Sequence, residues 1–154
     1  MCMKNVNITA IPCNAVIDNS NSLIGVFDTV VAEKHLDNGE LFLPHFNLFL
    51  DISIILPEGQ ESENEIAVGN KFDILVRFTH IASQLGTTLA EFSLELEEKD
   101  VCHACRDYWE FHRIIYADNL VLHKAGKHAV KILIKRSDET VWNVQSLHSI
   151  DVIT

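Results

Sequence analysis

Strict alternation of apolar and polar residues constrains this chain more than any other feature. From Lys71 to His80, Phe72, Ile74, Val76 and Phe78 fall on one side, opposite Lys71, Asp73, Leu75, Arg77 and Thr79. Ala90, Phe92, Leu94 and Leu96 alternate with Glu91, Ser93, Glu95 and Glu97, and Val130, Ile132 and Ile134 oppose Lys131 and Lys135. Successive side chains of a strand point to opposite faces, so this pattern predicts strands with one buried and one wet face. A helix would repeat its apolar residues every three to four positions instead.

Weaker patterns extend the reading. Segments Ile8 to Ile17 and Ser22 to Val31 form an early pair around Asp18-Asn19-Ser20-Asn21, a turn-rich stretch. Phe46 to Leu56 has Phe46, Leu48, Leu50, Ile52, Ile54 and Leu56 on one side and the mixed set Asn47, Phe49, Asp51, Ser53 and Ile55 on the other, which predicts a central, substantially covered strand. Glu110 to Ala117 and Leu120 to His123 flank Asp118-Asn119, and a last strand lies within Thr140 to Ile153. Gly126 marks a hairpin-type connection. Val31 to Asn38 has few breakers and could hold a helical turn, and Val101 to Ile115 reads as a loop followed by a strand, with a helix as its alternative. Eight or nine strands then predict an all-β fold: a two-sheet antiparallel β-sandwich, immunoglobulin-like in general architecture.

The 154 residues suit one domain, and no linker divides them, so the expectation is a single sandwich over 1–154. Pro57 to Asn70 carries Glu58, Glu61, Glu63 and Glu65 and almost nothing apolar, which predicts a mobile acidic loop at 57–70. No apolar run reaches the roughly 18 residues of a membrane span. The first residues resemble no secretion signal, so the expected location is cytoplasmic, with reduced cysteines.

Charge narrows the partners. The formal net charge is -10, and residues 1–100 hold 16 acidic against 5 basic side chains. Such a field repels phosphate backbones and disfavours nucleic acid. A basic strip at Lys124, Lys127, Lys131, Lys135 and Arg136 could meet an acidic protein partner, with a solvated sheet face as the plainer reading. The apolar content makes a homodimer through a sheet edge or face credible.

Cys102-His103-Ala104-Cys105, with His112 downstream, is the most conspicuous chemical cluster. Two thiolates two residues apart can hold one side of a tetrahedral zinc site, and His103 or His112 could add to it. No second Cys-x-x-Cys completes the set, and cysteines in ordinary packing are the simpler account. His112 and His123, either side of the Asp118-Asn119 turn, could meet as cross-strand neighbours. Asp28, Asp51 and Asp73 interrupt apolar strands, where wet-face positions and turn hydrogen bonds account for them more simply than acid–base catalysis. Tyr108, Trp109 and Phe111 form a candidate interaction patch, with core packing as the alternative. The six glycines make no nucleotide or phosphate loop, and no Gly-x-Ser-x-Gly elbow is present.

Leu23-Ile24-Gly25-Val26-Phe27-Asp28, the later Phe111, and the stretch Leu120 to Val130 resemble an uncharacterised bacterial family of small β-sandwich proteins. That family pairs an early Leu-x-Gly-x-Phe-Asp strand with a late hairpin turning on a glycine. The resemblance covers about Ile8 to Val152 and implies a fold, with no established catalytic residues. The acidic loop and the Cys102–Cys105 cluster depart from the family pattern. The expected function is therefore a non-catalytic protein-interaction or binding domain; the alternative is a metal-assisted or thiol-dependent enzyme using the Cys102/Cys105 region.

Overall fold

The computed structural model describes residues 5–13, 15–17, 22–55, 69–97 and 108–154, with backbone alone for 15–17, 22–24 and Tyr108. Across these residues the fold is all-β, with several antiparallel sheets. Seven long strands carry it: β1 (Val6–Cys13), β7 (Asn47–Ile55), β8 (Lys71–His80), β9 (Gly86–Glu95), β10 (Tyr108–Tyr116), β12 (Gly126–Arg136) and β13 (Asn143–Ile153). Six short ones complete the count of thirteen: β2 (Ala15–Ile17), β3 (Ser22–Ile24), β4 (Thr29–Val31), β5 (Glu33–Lys34), β6 (Leu41–Leu43) and β11 (Leu120–Leu122). Among the described residues no helix is long and apolar enough to cross a membrane.

Two sheets dominate. One has the order β1-β7-β10, and the other has the order β4-β13-β12-β8-β9, in which β4 pairs with β13 in parallel. The remaining pairings are β11-β6-β5 and β2-β3. Where eight or nine strands in two sheets are expected, the described residues form thirteen in four hydrogen-bonded groups. The surplus arises because strands of two or three residues leave too little alternation to read. Val31 to Asn38 is one such place: it contributes β5 and a turn at 36–38 rather than a helical turn.

Both large sheets turn their alternating apolar faces into one core. Leu48, Leu50, Ile52 and Ile54 of β7 meet the same cluster as Phe72, Ile74 and Val76 of β8 and Ile132 and Ile134 of β12, all fully buried. Each such side chain contributes about 1.5–3 kcal/mol through burial. Contacts close both flanks between the sheets. The Trp109 indole on β10 donates to the Glu97 carbonyl beyond β9 (3.0 Å), and the Arg113 guanidinium lies 5.3 Å from the centre of the Phe92 ring. On the opposite flank Gln145 Nε2 of β13 donates to the Val6 carbonyl of β1.

Two irregularities steer side chains. Between Ile132 and Leu133 the β12–β13 register slips, so that Ile132 faces Ser146 while Leu133 faces Val144. The extra residue, Gln145, lets both Val144 and Leu147 stand on the outer face. The β8–β9 hairpin ends with His80 N donating to the Leu85 carbonyl (2.8 Å), next to Gly86. The expected acidic loop lies outside the described residues except for Gly69 and Asn70, which continue the β8–β9 ladder by hydrogen bonds with Leu96.

Candidate functional site

The outer face of the β7–β10 pair holds the densest set of potential ligands among the described residues. Register sets Asp51 directly opposite His112 and Ser53 opposite Glu110. Strand periodicity puts Glu110 and His112 on the same face of β10. His112 Nε2 lies 3.4 Å from Asp51 Oδ1 and 3.2 Å from Glu110 Oε1. One donor atom from each of the three falls within 4.8 Å of the others. Phe49 packs beside the imidazole with ring centroids 5.4 Å apart. This Asp–Glu–His group could coordinate a metal ion.

Other expected site residues have different places. Cys102, His103 and Cys105 lie outside the described residues, as does the side chain of Tyr108. Trp109 is 1% exposed and Phe111 packs against the core, so these two side chains follow the core-packing alternative rather than a shared outer surface. His112 does not meet His123 across the Asp118-Asn119 turn. That turn separates β10, which pairs with β7, from β11, which pairs with β6. Cys13 is buried, and burial pushes its thiol pKa up, which makes it a poor nucleophile.

Two further groups stand apart from this site, and one of them includes Lys131 of the expected basic strip. His80 and His128 are cross-strand partners, both buried, with their rings edge-on at 5.1 Å. His80 Nδ1 sits 2.8 Å from Ser83 Oγ, His128 Nδ1 sits 3.0 Å from the Gly126 carbonyl, and the Phe78 ring stacks on His128 at 4.7 Å. On the outer face of the large sheet, Arg77 of β8 stands directly opposite Lys131 of β12, which faces Leu147 of β13. Among the described residues no carboxylate reaches ion-pair distance of either cation; Lys131 Nζ instead donates to Gln84 Oε1 (3.1 Å).

Sequence reasoning singled out His112 but missed Glu110, and it left Asp51 as an ordinary wet-face residue. Glu110 and His112 two apart on one strand was the available signal; the pairing with β7 had none.

No family model and no curated protein matches this chain. Among solved structures it is similar to the CooA pilin subunit from enterotoxigenic Escherichia coli, at 8% identity over 96% of this chain and 95% of that one, with a TM-score of 0.39. A likeness that loose fixes neither fold nor function. The expected cytoplasmic location is withdrawn: it rested on how the sequence begins, from which no location follows.

Proposed function

We propose that the chain is a non-catalytic protein-interaction domain that offers the outer face of β8, β12 and β13 to an acidic protein surface. The Arg77–Lys131 pair carries this reading. Like charges directly opposite on neighbouring strands repel, and an anionic group from a partner would relieve both. Beside them the register slip exposes Val144 and Leu147, at 47% and 54%, which gives the face an apolar centre. An immunoglobulin-like sandwich, and kinship with small bacterial β-sandwich proteins, belong to the same reading; one core shared by two sheets supports them. The thiol-dependent alternative depends on Cys102 and Cys105, and the described thiol, Cys13, is buried.

A photo-crosslinking residue placed at Leu147 in cells that make the protein tests the surface, with exposed Leu36 as the control position. Discrete adducts from 147, absent from 36 and lost on Lys131→Glu, are expected. The adduct's mass identifies either a second copy or a different protein, and sedimentation of the purified chain checks the former. Equal adducts from both positions, or adducts indifferent to Lys131→Glu, would overturn the reading.

A further inference from the structure

We infer that Asp51, Glu110 and His112 form a binding site for a divalent transition metal of the zinc type. The first argument is geometric. Tetrahedral ligands at about 2.1 Å from a zinc ion stand roughly 3.4 Å from one another. His112 Nε2 meets that spacing to both carboxylates, at 3.4 Å to Asp51 Oδ1 and 3.2 Å to Glu110 Oε1. These separations are long for a charge-assisted hydrogen bond, which contracts to about 2.7–2.9 Å. The three donor atoms all lie within 4.8 Å of one another, close enough for small side-chain rotations to bring them onto one ion.

A second, independent observation comes from Asp51. Its Oδ1 is shut off from water and makes no hydrogen bond among the described residues, although the side chain as a whole is 43% exposed. A carboxylate oxygen in that state needs a compensating positive charge. A single proton on Nε2 can lie along the line to one carboxylate oxygen at a time, whereas a dication neutralises both. The donor set also selects the metal: imidazole nitrogen with carboxylate oxygens suits zinc, while calcium and magnesium take all-oxygen shells. Cross-strand pairing fixes Asp51 against His112, and Phe49 beside the ring limits its rotation, so the site is ordered before the ion arrives. Three protein ligands leave a fourth position for water.

This site keeps His112 from the zinc set expected from sequence and replaces Cys102, His103 and Cys105 by two carboxylates. Calorimetric titration of the chelator-treated full chain with Zn2+ alone tests it. One ion per chain is expected, with affinity at least about tenfold weaker in His112→Ala and in the size-conserving Asp51→Asn/Glu110→Gln variant, and unchanged in Cys102→Ser/Cys105→Ser. Far-UV circular dichroism checks that each variant is folded. The Co2+-loaded protein should show visible d–d bands without a thiolate charge-transfer band. Absence of binding by the wild type, unaltered binding by a folded Asp51→Asn/Glu110→Gln variant, or loss of binding with the cysteines would overturn the assignment.

Discussion

Lys135 Nζ lies 2.9 Å from Asp73 Oδ2, directly across the β8–β12 ladder. The other carboxylate oxygen accepts from Ser93 Oγ of β9 and from Ser137 Oγ in the turn after β12, each at 2.7 Å. One aspartate therefore ties three strands and a turn on the outer face. Asp51 interrupts its strand in the same way but faces an imidazole and a second carboxylate. The difference between the two lies entirely in what their neighbours in the sheet supply.

The partners of Asp73 make an acid-sensitivity prediction. The hydrogen bonds from Ser137, Ser93 and Lys135 lower its pKa from 3.8 to about 2. A depressed carboxylate contributes stability that is present above the unfolded value and lost as pH falls through the folded one. That contribution should fade from about pH 3.8 down to about pH 2. Asp73→Asn should cost about 1–2 kcal/mol near neutral pH and almost nothing at the acid end of that window. Urea melts of the two proteins across the window decide it; a cost independent of pH would show that packing, not charge, is what Asp73 supplies.

Close approach at the β8–β9 hairpin gives a second prediction. A Cβ added to Gly86 would lie 2.7 Å from the Phe78 carbonyl oxygen and 2.6 Å from Thr79 Oγ1. Backbone cannot swing aside as a flexible side chain can, so Gly86→Ala should destabilise by about 1–3 kcal/mol, in the range of overpacking. Gly39 is the contrast: nothing stands within 4 Å of its added Cβ, but its φ of 71° lies in the left-handed region. Gly39→Ala should cost about 1 kcal/mol, from conformation alone. Thermal melts rank the two, and a Gly86→Ala protein as stable as the wild type would mean that the hairpin can open without penalty.

The large sheet was legible because its faces differ. Phe72, Ile74, Val76 and Phe78 alternate without a fault, and β8 spans the residues whose pattern announced it. β5, with only Glu33 and Lys34, has no pattern to read, and it exists because Phe42 and Leu41 pair with it. Register slips were equally silent: nothing in the order of Val144, Gln145, Ser146 and Leu147 says that two outward apolar residues will stand three apart. For the candidate metal site, residue type was readable and company was not. His112 acquires Asp51 through a pairing of strands far apart in sequence, which local alternation does not encode.

His128 supplies the last prediction. The residue is 2% exposed, and burial lowers its pKa from the ordinary 6.5; the Gly126 carbonyl accepting from Nδ1 works against that, and neighbouring His80 adds to it. The unfolded chain therefore takes up a proton at this position at a pH where the folded chain still refuses it. By linkage the neutral ring's contribution is complete above about pH 6.5 and is lost as pH falls from there toward the folded value. Stability should thus begin to drop on mild acidification, well before Asp73 titrates. His128→Phe keeps a ring stacked on Phe78 and removes the titration, so its stability should depend less on pH just below 6.5 than that of the wild type. Chemical denaturation at a series of pH values, with NMR titration of the His128 ring, separates the outcomes. Parallel pH profiles for the two proteins would assign the acid sensitivity to other groups.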